Sequence, residues 1–255
     1  MDVEPRPEPS ECLSPYRQRL YERYATHWQE GTQNLDAARL QRHARAYQYY
    51  FRGWLPQNFE AAIMDVGCGR GILLAFFRAR GYGNVQGIDV SPEQVELARR
   101  MTLEVHEGEA IGFLETCPGM FDLLTGLDIL EHFHKPEVIR FLEAARTALK
   151  PGGRLILQTP NADSPCGGMH RYNDFTHEVG FNPNSLSRLL RIAGFTAIEA
   201  RETGPVPLGY SMTSTARYIA WKIIRAGLTF WNLAEMGTAG DGVFTRVFLM
   251  SAKKV

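Results

Sequence analysis

Two short stretches of this sequence concentrate side chains that can take up protons or bind cations. The first, DILEHFH, spaces Asp128, Glu131 and His132 at i, i+3 and i+4, which would place all three on one side of a helical turn. The second, HRYNDFTHE, contains His177. Carboxylates and imidazoles act as general bases or as ligands of divalent cations. We therefore predict that His132 and His177 are catalytic, with a packing role as the alternative for each.

A glycine-rich stretch nearer the N-terminus indicates a bound ligand. In DVGCGRG, glycines stand at every second position from Gly67 to Gly71, directly after an apolar run. Such a loop after the first strand of a parallel sheet lets the backbone approach a ligand at a helix N-terminus. Asp89 ends the next apolar run, where a carboxylate can bind both hydroxyls of a ribose, and Glu109 is placed to accept from an adenine amino group. These residues indicate a nucleoside with a compact zwitterionic tail rather than a pyrophosphate.

The elements that would position these residues alternate between short apolar runs and helical segments. The strand-like runs are IMDV, VQGIDV, LEVHEG, FDLLTG and GRLILQTP, and segments between them, such as SPEQVELARR, have helical periodicity. This alternation is typical of a parallel sheet that helices cover on both faces. The fold class is therefore predicted to be α/β.

Segments outside this alternation extend the predicted domain. We expect residues 1–12 to form a disordered tail, because a proline-rich acidic stretch cannot bury a core. Residues 13–255 are predicted to form a single domain, with helices across 13–58. Residues 160–182 are expected to form an irregular acceptor loop, and residues 205–240 a helical insertion before a last strand. Apolar residues run much of the way round that insertion, so core burial is predicted, with a lid, a dimer face or a membrane-surface helix as alternatives.

Composition argues against several classes of function. The 255 residues carry a formal net charge of zero, which disfavours a large nucleic-acid footprint. The N-terminal stretch lacks a basic region followed by an apolar one, and no apolar run approaches the length that crosses a bilayer. The four cysteines are far apart without a CxxC pair, so neither a disulfide framework nor a zinc knuckle is indicated. These features predict a cytoplasmic protein.

The ordered series DVGCGRG, GIDVS, GEA, FDLLTGLDILEH and LKPGGRLILQTPN resembles the motif series of class I S-adenosylmethionine-dependent methyltransferases. The resemblance implies a Rossmann-like, mostly parallel seven-stranded sheet and S-adenosyl-L-methionine as cofactor, with S-adenosyl-L-homocysteine as product. It implies that the methionine end of the cofactor is contacted by Asp65, Gly67 and Gly69, and the ribose by Asp89. It also implies that Val90, Glu109 and Ala110 contact the adenine, and that Leu127 lines the pocket wall.

A finer resemblance concerns the reacting end. The DxxEH spacing, followed by TPN and later by an aromatic-flanked histidine, resembles the metal site of small-RNA 2′-O-methyltransferases. It implies Asp128, Glu131, His132 and His177 as ligands of one divalent cation. The sequence departs from that family because Asp128 is a shortened carboxylate and a paired Asp-His is missing. A direct base is therefore favoured over a metal, with His132 as first choice.

The acceptor is predicted from the C-terminal half. The segment RYNDFTHEVGFNPNSLSRLLRIAGF is similar to methyltransferases found with bacterial surface-polysaccharide synthesis, and the polar residues of the acceptor loop suit a hydroxyl-rich acceptor. We therefore expect O-methylation of a sugar or glycan hydroxyl in polysaccharide or glycolipid biosynthesis. The alternatives are a small-molecule or lipid-quinone acceptor, and a non-catalytic cofactor-binding subunit. A dehydrogenase would need GxGxxG, which this loop lacks; homodimerisation and peripheral membrane contact stay open.

Overall fold

A computed structural model describes residues 15–28, 37–101, 103–206 and 211–255. The predicted tail, residues 1–12, lies outside the described residues. Within them, no helix is both long and apolar enough to span a membrane.

Seven strands form one sheet in the described part of the chain. Its strands are β1 (Ile63–Val66), β2 (Val85–Asp89), β3 (Val105–Glu107), β4 (Phe121–Leu127), β5 (Leu149–Pro160), β6 (Thr196–Glu202) and β7 (Val247–Lys253). Their spatial order is β3-β2-β1-β4-β5-β7-β6, and β7 runs antiparallel to both of its neighbours. The other pairings are parallel. The predicted Rossmann-like, mostly parallel seven-stranded sheet is therefore confirmed.

Helices connect the strands, precede the sheet and enter before the last strand. They are α1 (Pro15–Tyr21), α2 (Tyr24–Trp28), α3 (Ala37–Tyr50), α4 (Ile72–Ala79), α5 (Pro92–Arg100), α6 (Ala110–Glu115), α7 (Lys135–Ala148), α8 (Gly167–Asn173), α9 (Pro183–Ile192) and α10 (Met212–Met236), and a 3₁₀ turn spans Leu130–His132. A parallel connection needs such a crossover, which is why strand and helix alternate from β1 to β5.

Successive strand residues pack on opposite faces of the sheet, as the period of two requires. In β1, Ile63 lies in the core beneath α4 and α5, while Met64 lies in the core beneath α6, α7 and α9. In β4, Leu123 lies in the same core as Ile63, and Leu124 lies in the same core as Met64. The two cores show that helices cover both faces of the sheet, as predicted.

Two segments differ from their predicted form. The acceptor loop, residues 160–182, is not wholly irregular, because it contains α8 and an isolated bridge between Asn161 and Phe181. Helix α10 is not part of the core: the structure describes all 25 of its residues and none of them is buried. The prediction of core burial for this insertion was wrong. Both sheet faces are already covered, so little apolar surface is left for a further helix to bury.

The fold gives a stability prediction at Leu124, which is fully buried in the middle of β4. Leu124→Ala should lower the free energy of unfolding by about 2–5 kcal/mol, through lost transfer energy and the cavity that remains. Met120→Ala removes a side chain of similar size that is 52% exposed, and should change it by less than about 0.5 kcal/mol. Urea denaturation compares the two, and equal losses would contradict the assignment of Leu124 to the core.

Candidate active site

A cavity of about 1040 Å³ opens where β1, β2 and β4 end at the carboxyl edge of the sheet. Open parallel sheets bind ligands at this edge. The residues predicted from sequence meet here: the cavity is lined by Asp65, Gly67, Gly69, Asp89, Val90, Glu109, Ala110, Leu127, His132 and His177.

The glycine loop needs glycine for both conformation and space. Gly67 and Gly69 have φ angles of +68° and +52°, in the left-handed region that favours glycine. A Cβ on Gly67 would lie 2.9 Å from Cδ1 of Ile129, which is too close. A Cβ on Gly69 would meet only Gln94, at 3.8 Å, so the loop leaves open space there. This concave backbone at the start of α4 suits the close approach of a ligand.

Asp89 joins the glycine loop to the end of β2. Its Oδ2 accepts from the backbone N–H of Gly69 at 2.8 Å, and its Oδ1 accepts from that of Ser91 at 2.9 Å. Burial raises the pKa of Asp89, and these backbone donors lower it again in part. Each oxygen keeps a lone pair, so the carboxylate can still accept from two ligand hydroxyls.

Asp65 is buried beneath the loop, where its Oδ1 accepts from the hydroxyl of Thr125 at 2.6 Å. Burial raises the pKa of Asp65 to about 7, and the Thr125 hydrogen bond only partly opposes this. The nearby Cys68 thiol is also buried, and burial raises its pKa, so Cys68 is a small packing residue rather than a reactive one.

Glu109 caps the helix that follows it and also lines the cavity. Its two carboxylate oxygens accept from the backbone N–H groups of Ile111 (3.0 Å) and Gly112 (2.7 Å), so the side chain caps α6. Glu109 lines the cavity, yet its carboxylate is bound to its own helix. Val90 and Ala110 complete the wall beside it.

Two cavity residues were missed in the sequence. Gln94 and Ser91 are each 2% exposed, and Gln94 Oε1 and Ser91 Oγ have no hydrogen-bond partner. Ser91 is the N-cap residue of α5, but its hydroxyl makes no capping bond. Their position two and five residues after Asp89 was the signal that could have identified them. Buried polar atoms without a partner, facing a cavity, indicate a ligand that supplies the partner.

Only Leu130–His132 of the DILEH stretch form a turn, and it is a 3₁₀ turn rather than the predicted helical turn, with Asp128 outside it. Asp128 has a left-handed φ of +56°, and its Oδ2 accepts from Nε2 of Gln158 at 2.8 Å. Ligand atoms of Glu131, His132 and His177 all lie within 4.8 Å of one another. The structure therefore brings three of the four proposed metal ligands together and leaves Asp128 outside that cluster.

A chain of hydrogen bonds fixes the tautomer of the His132 imidazole. The Thr176 hydroxyl donates to Oδ1 of Asp174 at 2.6 Å and lies 2.8 Å from His132 Nδ1. Because that hydroxyl has one proton, it must accept from Nδ1–H, which leaves Nε2 with the free lone pair. Burial and the neighbouring His177 lower the pKa of His132 to about 4. His132 is therefore neutral near neutral pH.

Glu131 and His177 each have a buried polar atom without a hydrogen-bond partner. Glu131 Oε2 accepts from the Thr159 hydroxyl at 3.0 Å, whereas Glu131 Oε1 and His177 Nδ1 are buried without a partner. Burial raises the pKa of Glu131, with Asp128 adding to the effect, and burial lowers the pKa of His177. A carboxyl and two neutral imidazoles in contact can accept protons or bind a cation.

The N-terminal helices close this end of the cavity, which sequence reasoning did not foresee. Arg17 donates to the backbone oxygen of His132 at 2.7 Å and forms an ion pair with Glu137 at 2.7 Å. The rings of Tyr21 and Tyr24 each lie edge-on at 6.2 Å from the ring of His132. The Tyr24 hydroxyl also donates to Asp174 at 2.6 Å. These residues lie more than a hundred positions before His132, so no local pattern could have paired them.

The sheet topology and the glycine loop define a class I S-adenosylmethionine-dependent methyltransferase. A family model described as a methyltransferase domain matches residues 36–200. The chain belongs to this family of methyltransferase domains.

Relatives of known name agree with the class. The chain is 35% identical over 157 residues to a ubiquinone biosynthesis O-methyltransferase of Xanthomonas euvesicatoria pv. vesicatoria, covering 52% of this chain and 62% of the relative. It is 29% identical to the same-named enzyme of Cupriavidus pinatubonensis, covering 63% and 72%. The match to the Xanthomonas protein thus spans less than two thirds of its length.

Solved structures share the fold. A SAM-dependent methyltransferase from Archaeoglobus fulgidus has a TM-score of 0.61 at 21% identity, with 85% of this chain and 92% of that chain covered. An S-adenosylmethionine-dependent methyltransferase from Mesorhizobium loti has a TM-score of 0.57 at 19% identity, with 82% and 97% covered. At these identities the likeness concerns the fold alone.

The raised pKa of Asp65 gives a prediction for stability against pH. Its folded-state value of about 7 exceeds the ordinary 3.8, so its contribution is fully present below the ordinary pKa and is lost as the pH rises through about 7. Asp65→Asn removes this titration, while its amide oxygen can still accept from Thr125. Without cofactor, the unfolding free energy of Asp65→Asn should fall less steeply than that of wild type between about pH 4 and pH 7.

Urea denaturation at each pH measures this difference. The matched control is Asp241→Asn, the same substitution at an exposed aspartate. Its pH profile should follow that of wild type. If the unfolding free energies of Asp65→Asn and wild type changed equally with pH, Asp65 would ionise in the folded protein as readily as in the unfolded chain.

Proposed function

We propose that this protein transfers the methyl group of S-adenosylmethionine to a hydroxyl oxygen of a small aromatic acceptor. The observation that carries the proposal is the buried group of Glu131, His132 and His177 in the same cavity as the glycine loop. The names of the curated relatives support an oxygen acceptor of a quinone-biosynthesis type. They favour the small-molecule alternative over the sugar acceptor expected from sequence.

The glycine-loop end of the cavity would hold the cofactor. Asp65 would face its ammonium group, Gly67 and Gly69 would let its methionine part approach the backbone, and Asp89 would accept from the ribose hydroxyls. Val90, Glu109, Ala110 and Leu127 would form the adenine side and the pocket wall. Open space at Gly69 and the unpartnered Ser91 and Gln94 atoms fit such a ligand. The bound cofactor supplies an electrophilic sulfonium methyl; the protein supplies alignment and proton acceptance.

Aromatic rings line the cavity. Tyr21 and Tyr24 lie beside His132 at the reacting end, and His43 and Tyr47 line the same cavity. Burial raises the pKa of Tyr21 to about 12 and also raises those of Tyr24 and Tyr47, so all three phenols remain neutral. Aromatic walls favour a flat aromatic acceptor over a sugar through edge and stacking contacts.

The polar residues of the acceptor loop divide into two groups: His170, Asn173 and Asp174 line the cavity, whereas Asn161 and Asp163 do not. Asn161 is fully buried, and its amide donates to the backbone oxygens of Val243 and Thr245. Asp163 accepts from the side chain of Asn182. Neither Asn161 nor Asp163 lines the cavity, so both contribute to holding the segment in place.

At the reacting oxygen, two chemistries fit the chain. In the first, Nε2 of His132 accepts the hydroxyl proton, with Nδ1–H fixed by Thr176 and Asp174. In the second, Glu131, His132 and His177 bind a divalent cation that acidifies the hydroxyl. The unpartnered Glu131 Oε1 and His177 Nδ1 favour this second chemistry, because a cation would satisfy both atoms.

An acceptor panel tests the proposed function. Purified protein with methyl-labelled S-adenosylmethionine should give methyl ethers with catechols and hydroxybenzoates, and none with monosaccharides or sugar nucleotides, as measured by mass spectrometry. Asp89→Ala should abolish transfer at limiting cofactor, because the variant loses the ribose contacts. Methylation of the sugars in preference to the phenols would refute the aromatic acceptor.

Chelation and substitution separate base from metal. If His132 is a direct base, His132→Ala should lower kcat about 10²–10⁴-fold with cofactor affinity unchanged, and EDTA should have no effect. If a cation is bound, EDTA should abolish turnover reversibly, and Glu131→Gln, His132→Ala and His177→Ala should each cost nearly as much as all three together. His134→Ala, which removes a half-exposed imidazole two positions away, is the matched control and should retain activity. Normal activity in both His132→Ala and His177→Ala would refute both chemistries.

A further inference from the structure

A second cavity, of about 730 Å³, lies on the inner side of α10. The helix contributes five residues to its wall at intervals of three or four positions, which place them on one side of a helix: Ser214, Arg217, Trp221, Ile224 and Leu228. The opposite wall includes the segments before and after α10, at positions 203–206 and 244–247. The inner side of α10 therefore faces a space large enough for a ligand, which is why none of its 25 residues, all of them described, is buried.

Hydrogen bonds hold α10 over this cavity. The Ser214 hydroxyl donates to the backbone oxygen of Val206 at 3.0 Å, and Arg225 donates to that of Gly242 at 3.0 Å. The two contacts lie near the start of the helix and past its middle, so they fix the helix at two places along the cavity wall. The second cavity is therefore a built part of the fold.

Positive charge lies in the wall of the second cavity. Arg217 and Arg246 line it, and none of the described residues that line it is an aspartate or a glutamate. Burial and the positive charge of Arg246 lower the pKa of His170, and burial raises the pKa of Tyr50 to about 12 against the positive charge of Arg217. His170 and Tyr50 are themselves part of the wall. Both arginines are therefore close enough to act on groups at the cavity surface.

Neither arginine is neutralised by the protein. Within the described ranges, Arg217 and Arg246 form no ion pair. Glu202 contacts the α10 wall by accepting from the indole N–H of Trp221 at 3.4 Å, but this carboxylate is paired with Arg225, also at 3.4 Å. Two cations in one cavity wall without an acidic residue to balance them indicate a ligand that carries negative charge.

The second cavity adjoins the active-site cavity, because His170 and Val247 line both. The wall of the second cavity also carries apolar side chains, among them Trp221, Ile224 and Phe244. A molecule too long for one cavity can therefore extend into the other, with an apolar part against these side chains. The arginines would then meet the end of the molecule that lies farther from His132.

We propose that the second cavity binds an oxyanion carried by the acceptor, which Arg217 and Arg246 recognise while the apolar wall holds the chain that links the oxyanion to the reacting ring. The proposal rests on the proposed function, because it extends the aromatic acceptor away from His132. Guanidinium groups match the geometry of carboxylate and phosphate oxygens. The acceptor is then a phenol with an acidic side chain, and its charge selects it over neutral phenols.

Isothermal titration calorimetry tests the proposal with the full chain and S-adenosylhomocysteine. The probes are phenylalkanoates of increasing chain length, which lack a phenolic hydroxyl, and their primary amides, which have the same length without the charge. Once the chain reaches the second cavity, the acid should bind about tenfold more tightly than the amide, because its hydrogen bonds with guanidinium groups are charge-assisted. Phenylalkyl phosphates of the same lengths show which oxyanion the arginines prefer.

Substitution of the arginines should remove this preference for the acid. Arg217→Gln with Arg246→Gln should make acid and amide bind equally, and each single substitution should reduce the difference between them. Lys222→Gln is the matched control, because Lys222 is an exposed basic residue of α10 that does not line the second cavity. This control should prefer the acid as wild type does. Thermal unfolding shows whether each variant is folded.

Two results would overturn the proposal. One is equal affinity of wild type for acid and amide at every chain length, and the other is an undiminished preference for the acid in the folded arginine variants. The binding measurement needs no methyl transfer, so it separates this proposal from the proposed function. Arginine-dependent binding of the acid without methylation of any phenol would refute the aromatic acceptor and support the oxyanion site. Methylation of catechols with no gain in affinity from an acidic chain would refute the oxyanion site alone.

Discussion

Burial of carboxyl groups where the strands end is the constraint on which the site depends. Asp65 and Glu131 each have one hydroxyl donor from a neighbouring strand, supplied by Thr125 and Thr159. One neutral hydrogen bond does not offset the desolvation of a carboxylate, so the pKa of each rises. A cationic group that binds at this edge of the sheet would therefore stabilise the ionised carboxylates. The ammonium and sulfonium of S-adenosylmethionine, or a divalent cation beside Glu131, would stabilise charges that the protein alone does not.

The fold could be predicted because its information is local. The period of two in runs such as IMDV and the helical period between them need no knowledge of distant contacts. Asp89 and the glycine loop were predicted for the same reason, since both follow directly from strand ends. The spacing of Asp128, Glu131 and His132 was misleading, because i, i+3 and i+4 share one side of an α-helix only, and the 3₁₀ turn spans Leu130–His132 alone. Asp128 precedes this turn with a left-handed φ of +56°, which no residue type in the stretch required.

Two parts of the structure could not be predicted because they depend on distant neighbours. The tautomer of His132 depends on Thr176 and Asp174, which a strand and two helices separate from it along the chain. The exposure of α10 depends on the sheet faces, which α3 to α7 and α9 had already covered before the chain reaches residue 212. Hydropathy reports that α10 is apolar. It does not report whether any apolar surface remains for the helix to pack against.

The region that matches the family model contains the whole cofactor end of the cavity but only part of the reacting end, where it includes Glu131, His132 and His177. The residues at the cofactor end, from Asp65 to Leu127, all lie within the region that matches the family model. Tyr21, Tyr24 and Arg17, which surround the reacting end, precede that region, and α10 follows it. Enzymes that bind the same cofactor need similar cofactor-binding residues, whereas different acceptors need different residues around them. With the proposed function, the segments outside the matched region would contribute to the choice of acceptor, and exchanging them should change acceptor choice while cofactor binding does not change.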